Sequence, residues 1–269
     1  MLIEYYPSNS FLHDLDVRTK LLGFFLLTFI SFIFLSPIIN FIIALLVVII
    51  ILKINAPLSR VKKLLTPLTP IFFIMIIITG FTYPTENFKT EFSQKIFFTL
   101  GIDNSWQFTV GGFLYGITLS LRIFIMVLAS TILTFTTPIE DFLQLMKKIK
   151  IPYQFAFIIT SGIRFIPTMQ KKSEMIQEAQ KARGAEIGSG GFIKNFKSHI
   201  MVLIPLIVDS IRMSDNLAIA MLNRGFGALK FTTDLHTIEM KTKDYLICIS
   251  ELCLVAISIW IKSNNIGVL

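Results

Sequence analysis

Apolar residues along this chain fall in long blocks separated by short polar runs. The first block runs from about Leu21 to Leu35, Pro37 breaks it, and a second runs from Ile38 to Leu52. A third spans about Pro67 to Tyr83, a fourth Gly111 to Phe135 and a last about Tyr245 to Ile261. A helix needs about 20 predominantly apolar residues to cross a bilayer. The first two blocks fall short of that alone. Flanking Thr, Ser and Asn extend both, and together they predict a tight helical hairpin. The pattern predicts an all-α, polytopic membrane bundle of about five spans.

Between the fourth and last blocks the pattern changes to one amphipathic helix after another. "TTPIEDFLQLMKKIKIP" carries a start signal, with Thr137 as N-cap, Pro138 at the first helical position and Glu140 closing a capping box. Lys147, Lys148 and Lys150 complement the dipole at the far end, and Ile151-Pro152 stops the helix. A short apolar helix is expected from Tyr153 to Ile166, and Pro167 is expected to open a longer one ending near Gly184. At about 100° per residue, Phe165, Met169, Ile176 and Ala179 share one stripe, with Lys171, Glu174, Glu178 and Lys181 opposite. "GSGG", with Gly188, Gly190 and Gly191, reads as a flexible joint. Phe192 to Leu203 follows, then Pro205 is expected to open a helix to about Arg224, with Leu206, Met213, Leu217 and Met221 on its stripe.

Composition supports a membrane location: 54% of residues are hydrophobic and the mean hydropathy is +0.71. The net charge of +8 lies in particular loops. Lys53, Arg60, Lys62 and Lys63 follow the second block, and Lys147 to Arg183 carries eight basic residues counted as Lys147, Lys148, Lys150, Arg164, Lys171, Lys172, Lys181 and Arg183. The run from Pro84 to Val110 is not basic. Because positive loops stay in the cytoplasm, the expected topology is N-terminus inside, residues 53–66 inside, 84–110 outside with Trp106 as an interface anchor, and 137–243 inside. Three regions follow: membrane helices in 1–136, cytoplasmic coupling helices in 137–243 and a last membrane helix in 244–269. "MLIEYYPSNS" does not read as a cleavable signal peptide. No aromatic-basic platform suggests nucleic acid.

The chemistry of catalysis is missing from the pattern. No G-x-x-x-x-G-K-S/T phosphate loop, nucleophile elbow or Ser-His-Asp order occurs, so an enzyme is not expected. His13, His199 and His236 are scattered, and Cys248 and Cys253 sit in the last apolar block, so no metal site is expected. Arg122 lies in the middle of the fourth apolar block. It must face protein or water, either as a tie within the bundle or as a functional charge. A secondary transporter or channel using Arg122 and Arg164 is the alternative function, though no inverted repeat accompanies them.

Two strings remain, "AQKARG" from Ala179 and "AMLNRG" from Ala220, both A-x-x-x-R-G. A basic residue followed by glycine is an ordinary helix end. Here both copies put the arginine at the end of an apolar stripe, where its planar fork suits an acidic socket on a partner. With these residues the chain resembles the transmembrane T component of energy-coupling factor (ECF) transporters, importers of the ATP-binding cassette class. That family ends two coupling helices in Ala-Arg-Gly. Ala182-Arg183-Gly184 matches in full, while the second copy reads Asn223-Arg224-Gly225. "YYPSNSFLHDLDVRTKLL" from Tyr5, "TTPIEDFLQLMKKIKIP" and "RFIPTMQ" from Arg164 resemble further family segments in the same order. The resemblance implies that two cytoplasmic ATPase subunits, identical or distinct, receive Arg183 and Arg224. It also implies a separate substrate-binding membrane subunit, the S component, for a vitamin or other micronutrient. ATP would be bound by the partner subunits, with no cofactor in this chain, and the site of action would be the bacterial cell membrane.

Overall fold

The structure is a computed structural model that describes residues 10–54, 57–82, 96–100, 106–148, 152–185, 191–228 and 240–264. Its helices are α1 (Val17–Ile33), α2 (Pro37–Lys53), α3 (Leu58–Leu65), α4 (Thr69–Thr82), α5 (Val110–Thr136), α6 (Ile139–Lys148), α7 (Tyr153–Ala182), α8 (Phe192–Asn223) and α9 (Thr242–Ser263). Two short strands, β1 (Ile96–Leu100) and β2 (Trp106–Thr109), form an antiparallel hairpin within the 84–110 connection. Ile, Phe, Thr and Trp in these runs favour extended backbone. Otherwise the fold is an all-α membrane bundle. The chain divides into two compact units, one of Met1–Leu145 with Ile238–Leu269 and one of Met146–Thr237.

In the first unit α5 is the central helix. It packs on α1, α2, α3 and α4, and α1 also packs on α9. Ala44, Val47 and Ile51 of α2, Val61 of α3 and Ile125, Leu128 and Phe135 of α5 form one buried apolar cluster. The α4–α5 contact is close because Gly112 and Gly116 occupy one face of α5. A Cβ on Gly116 would lie 2.8 Å from the Cα of Ile76, and one on Gly112 would lie 2.7 Å from the carbonyl oxygen of Thr79. Small residues at this spacing let membrane helices approach backbone to backbone.

Among the described residues, three helical runs are long and apolar enough to span a bilayer: Leu58–Thr82, Val110–Thr136 and Thr242–Ser263. At 1.5 Å rise per residue they measure roughly 33–40 Å against a hydrocarbon core of about 30 Å. The first is longer than its apolar block because α3 is joined to α4 through a 3₁₀ turn at Thr66–Leu68, which holds Pro67. Outward-facing Phe73, Ile74, Leu246 and Trp260 are exposed, as the walls of a lipid-embedded protein should be.

The helices α1 and α2 contain 17 residues each. Their connection is tight, but the helices do not form the expected close hairpin. Beyond the turn they diverge, α2 packing on α5 and α1 on α5 and α9. Together with α9 they enclose an apolar crevice of about 590 Å³. At the opposite end of α1, polar groups tie three helix termini together. Asp16 caps α1 by accepting from the Arg18 amide at 2.9 Å, and its own amide donates to Asp244 of α9 at 2.9 Å. Lys20 Nζ donates to the last carbonyl of α5, Thr136, at 2.9 Å.

The expected cap of α6 is not made. Thr137 instead ends α5, donating its amide to the Leu133 carbonyl at 3.1 Å, and its buried hydroxyl has no hydrogen-bond partner among the described residues. The prolines also act differently from expectation. Pro167 and Pro205 open no helix; each lies inside a continuous one, α7 or α8. Each leaves the carbonyl four residues earlier, Ile163 or Met201, without its usual amide donor. Both helices continue across the gap although the flanking residues are largely β-branched or aromatic, held by the packing of α7 on α8.

Candidate functional site

The two Arg-Gly strings fold into the same local structure. Ala182 is the last residue of α7, Arg183 is its C-cap and Gly184 follows with φ +86°. Asn223 ends α8, Arg224 is its C-cap and Gly225 follows with φ +73°. In both, the glycine amide donates to the carbonyl three residues back, Lys181 or Leu222, at 3.0 Å. The next amide closes a wider ring, Ala185 to Gln180 at 2.9 Å and Phe226 to Met221 at 3.0 Å. This is the Schellman ending, and it requires a left-handed residue that only glycine adopts without strain. The backbone therefore turns away immediately after each arginine. Both side chains are exposed, and neither guanidinium is paired with a described residue. Each of the two helix tips thus presents a charged, five-donor fork.

Contacts between α7 and α8 place these tips. Ser210 Oγ lies 3.3 Å from Met169 Sδ, Lys172 pairs with Asp209, and the Phe157 and Phe226 rings are 5.3 Å apart. As positions ascend on α7 their partners descend on α8, so the helices run antiparallel. Arg183 lies fourteen residues past Met169, and Arg224 fourteen past Ser210. Each arm is then ~21 Å long, and the tips stand at opposite ends of the pair, up to ~40 Å apart. The stripe residues Met169, Ile176, Leu206, Met213, Leu217 and Met221 are half-buried, while Ala179 is exposed.

Arg122 and Arg164 belong to different units. Arg164 is exposed on α7 in the second unit, whereas Arg122 is buried in α5 in the first. Arg122 Nε donates to the Ser31 carbonyl at 3.1 Å, and one terminal nitrogen donates to Phe32 at 3.3 Å and Phe34 at 2.9 Å. Its guanidinium also sits 5.2 Å from the centre of the Phe32 ring. These carbonyls belong to the C-terminal end of α1, which has no further turn to satisfy them. Asn40 and Thr118 complete the arrangement by donating to the Phe34 carbonyl at 2.9 Å and the Leu35 carbonyl at 3.1 Å. In hydrocarbon such carbonyls need internal donors, and Arg122 is the tie that supplies them. Of the expected glycine joint, Gly188 and Gly190 lie outside the described residues. Gly191 is the N-cap of α8.

Two features are absent from the sequence-based expectations. The Lys172–Asp209 pair joins residues 37 positions apart, which no local pattern reveals. Glu251 sits inside the last apolar block, against Gly23 of α1, and its buried Oε2 has no hydrogen-bond partner among the described residues. An acidic residue within a spanning helix is the signal that could have marked it.

The fold defines a class: a multi-pass α-helical membrane protein. Residues 8–234 match the family described as cobalt transport protein, CbiQ. The chain is 31% identical over 258 residues to the energy-coupling factor transporter transmembrane protein EcfT of Acidaminococcus fermentans, covering 90% of this chain and 89% of that one. It is 33% identical over 260 residues to the EcfT of Ruminiclostridium cellulolyticum (91% and 90% covered). To that of Bacillus subtilis it is 30% identical over 268 residues (97% of each). The chain belongs to this family of energy-coupling factor transmembrane components of the bacterial cell membrane.

Proposed function

We propose that this chain is the coupling subunit of a micronutrient importer, carrying ATP-driven motion from two cytoplasmic ATPase subunits to a separate substrate-binding membrane subunit. The observation that carries the proposal is the pair of matched helix ends. Arg183 and Arg224 are exposed forks on identical Schellman endings at opposite ends of an antiparallel pair. A separation of up to ~40 Å is too large for one groove, so each arginine enters a different ATPase and pairs with acidic residues there. ATP stays with those subunits, and this chain contributes no catalytic group or cofactor. ATPase closure changes the distance between the two sockets, and α7 and α8 follow. Substrate identity resides in the substrate-binding subunit, for which a vitamin is the favoured class.

Replacing Arg183 and Arg224 together by alanine in the intact complex tests this. ATPase subunits should no longer co-purify, or ATP-coupled uptake should cease, while the chain still inserts into the membrane. Retention of both association and coupled uptake would defeat the proposal.

The alternative, a secondary transporter or channel using Arg122 and Arg164, is disfavoured by the occupation of the Arg122 guanidinium with three backbone carbonyls at the end of α1.

A further inference from the structure

The contacts between α7 and α8 differ in character along their length. The half-buried stripe residues Met169, Ile176, Leu206, Met213, Leu217 and Met221 are aliphatic or thioether, and packing between such side chains is non-directional. Apolar helix faces tolerate sliding and rotation because one ridge of side chains resembles the next. The Lys172–Asp209 pair breaks that equivalence. It sits one turn from the Met169–Ser210 contact, at the centre of the antiparallel pair, and joins one named atom of α7 to one of α8. Buried or half-buried ionic groups serve best as registry devices, since a slip of one position leaves both charges unpaired. The side chains are 31% and 41% exposed, so the contact is sheltered enough to be specific yet remains wet enough to reform.

The neighbouring backbone adds to this. Pro167 lies five residues before Lys172, and Pro205 four residues before Asp209. Each proline removes one rung from its helix just ahead of the pair, and helices bend where a rung is lost. From the pair to the tips no proline intervenes, and both arms end in closed Schellman rings. Each helix therefore consists of a compliant point, a charged contact and a stiff arm, ~16 Å from Lys172 to Arg183 and ~22 Å from Asp209 to Arg224. A rotation of about 10° at the crossing would move each tip by roughly 3–4 Å, enough to leave or enter a side-chain socket.

We propose that Lys172 and Asp209 are positioning residues that act as the pivot of the two arms, holding α7 and α8 in one register so that displacement of one arginine tip displaces the other. This rests on the coupling role proposed above. It assigns the two charges no contact with substrate or ATPase; they act only through the placement of Arg183 and Arg224.

The test uses the intact complex in lipid nanodiscs, with Cys248 and Cys253 replaced by serine and spin labels on Ala185→Cys and Ala228→Cys, each beside one tip. Pulsed electron resonance reads the tip-to-tip distance, and uptake per ATP hydrolysed is measured in parallel in proteoliposomes. Lys172→Met and Asp209→Leu should each broaden the distance distribution about twofold and lower uptake per ATP at least fivefold, with ATPase subunits still bound. The double exchange Lys172→Asp with Asp209→Lys should restore both readouts, which a loss of bulk stability would not. An unchanged distribution in the single variants, or no recovery in the exchange, overturns the pivot. Failure of the coupling role itself would appear separately, as coupled uptake that survives loss of Arg183 and Arg224.

Discussion

Replacing Arg122 by methionine isolates the contribution of the tie at the end of α1. Methionine retains the length and the apolar stem but offers no donor. The Phe34 carbonyl keeps Asn40 as partner, so two carbonyls, Ser31 and Phe32, lose their side-chain donor. A buried carbonyl without a partner costs about 1–3 kcal/mol, giving about 2–6 kcal/mol for two. The stacked Phe32 ring adds about 0.5–2 kcal/mol. The lower insertion cost of methionine does not offset this, because folded bundle and separated helices both lie in the membrane. Helix ends in that separated state find partial partners, so the expected net loss is about 2–4 kcal/mol. Arg122→Lys should lose about half as much, since an ammonium cannot reach three carbonyls with a rigid fork. Unfolding of the complex in mixed micelles of rising SDS fraction, followed by tryptophan fluorescence, measures both. Uptake by the surviving folded fraction should be near normal. Undiminished stability of Arg122→Met combined with abolished uptake would refute the tie and revive a transporter charge.

Glu251→Leu should stabilise the complex by about 1–3 kcal/mol in the same unfolding assay, because it removes a buried carboxyl oxygen that lacks a partner among the described residues; a fall in stability would reveal a donor on another subunit. Gly184→Ala and Gly225→Ala place a Cβ in the left-handed region and should each cost about 1–2 kcal/mol at the helix end. ATPase affinity on pull-down titration should fall with them while the membrane unit unfolds at its usual midpoint. Gly116→Leu should destabilise the first unit by at least about 1–3 kcal/mol, since the backbone of Ile76 has no room to yield. Gly162→Ala, in open space on α7, should be neutral or stabilising by about 0.5–1 kcal/mol in thermal unfolding.

Features set by local chemistry are legible in the sequence. Apolar blocks announce spans because hydrocarbon tolerates little else, and α5 and α9 extend only a few residues beyond their blocks. The ends at Gly184 and Gly225 are legible because a left-handed residue must close such a helix. Features that depend on distant partners are not. Pro167 has the same local signature whether it starts a helix or interrupts one, and only the continuity of α7 decides. Thr137 has the composition of a cap, but the end of α5 claims its backbone. The carbonyls that hold Arg122 lie 88 to 91 residues away, beyond the reach of any periodicity. The β1–β2 hairpin is hidden because two runs of four or five residues carry too little alternation to stand out from a loop.

The equal arms of α7 and α8 have a further consequence. An antiparallel pair of helices has a local two-fold axis, here passing near the Met169–Ser210 contact. Rotation about it carries one Arg-Gly ending approximately onto the other, though the chain itself has no symmetry. A dimer of ATPases is also two-fold. Under the proposed coupling role, one asymmetric polypeptide would meet a symmetric engine by presenting the same handle twice. The handles match in their Arg-Gly and differ just before it, at Gln180/Met221, Lys181/Leu222 and Ala182/Asn223.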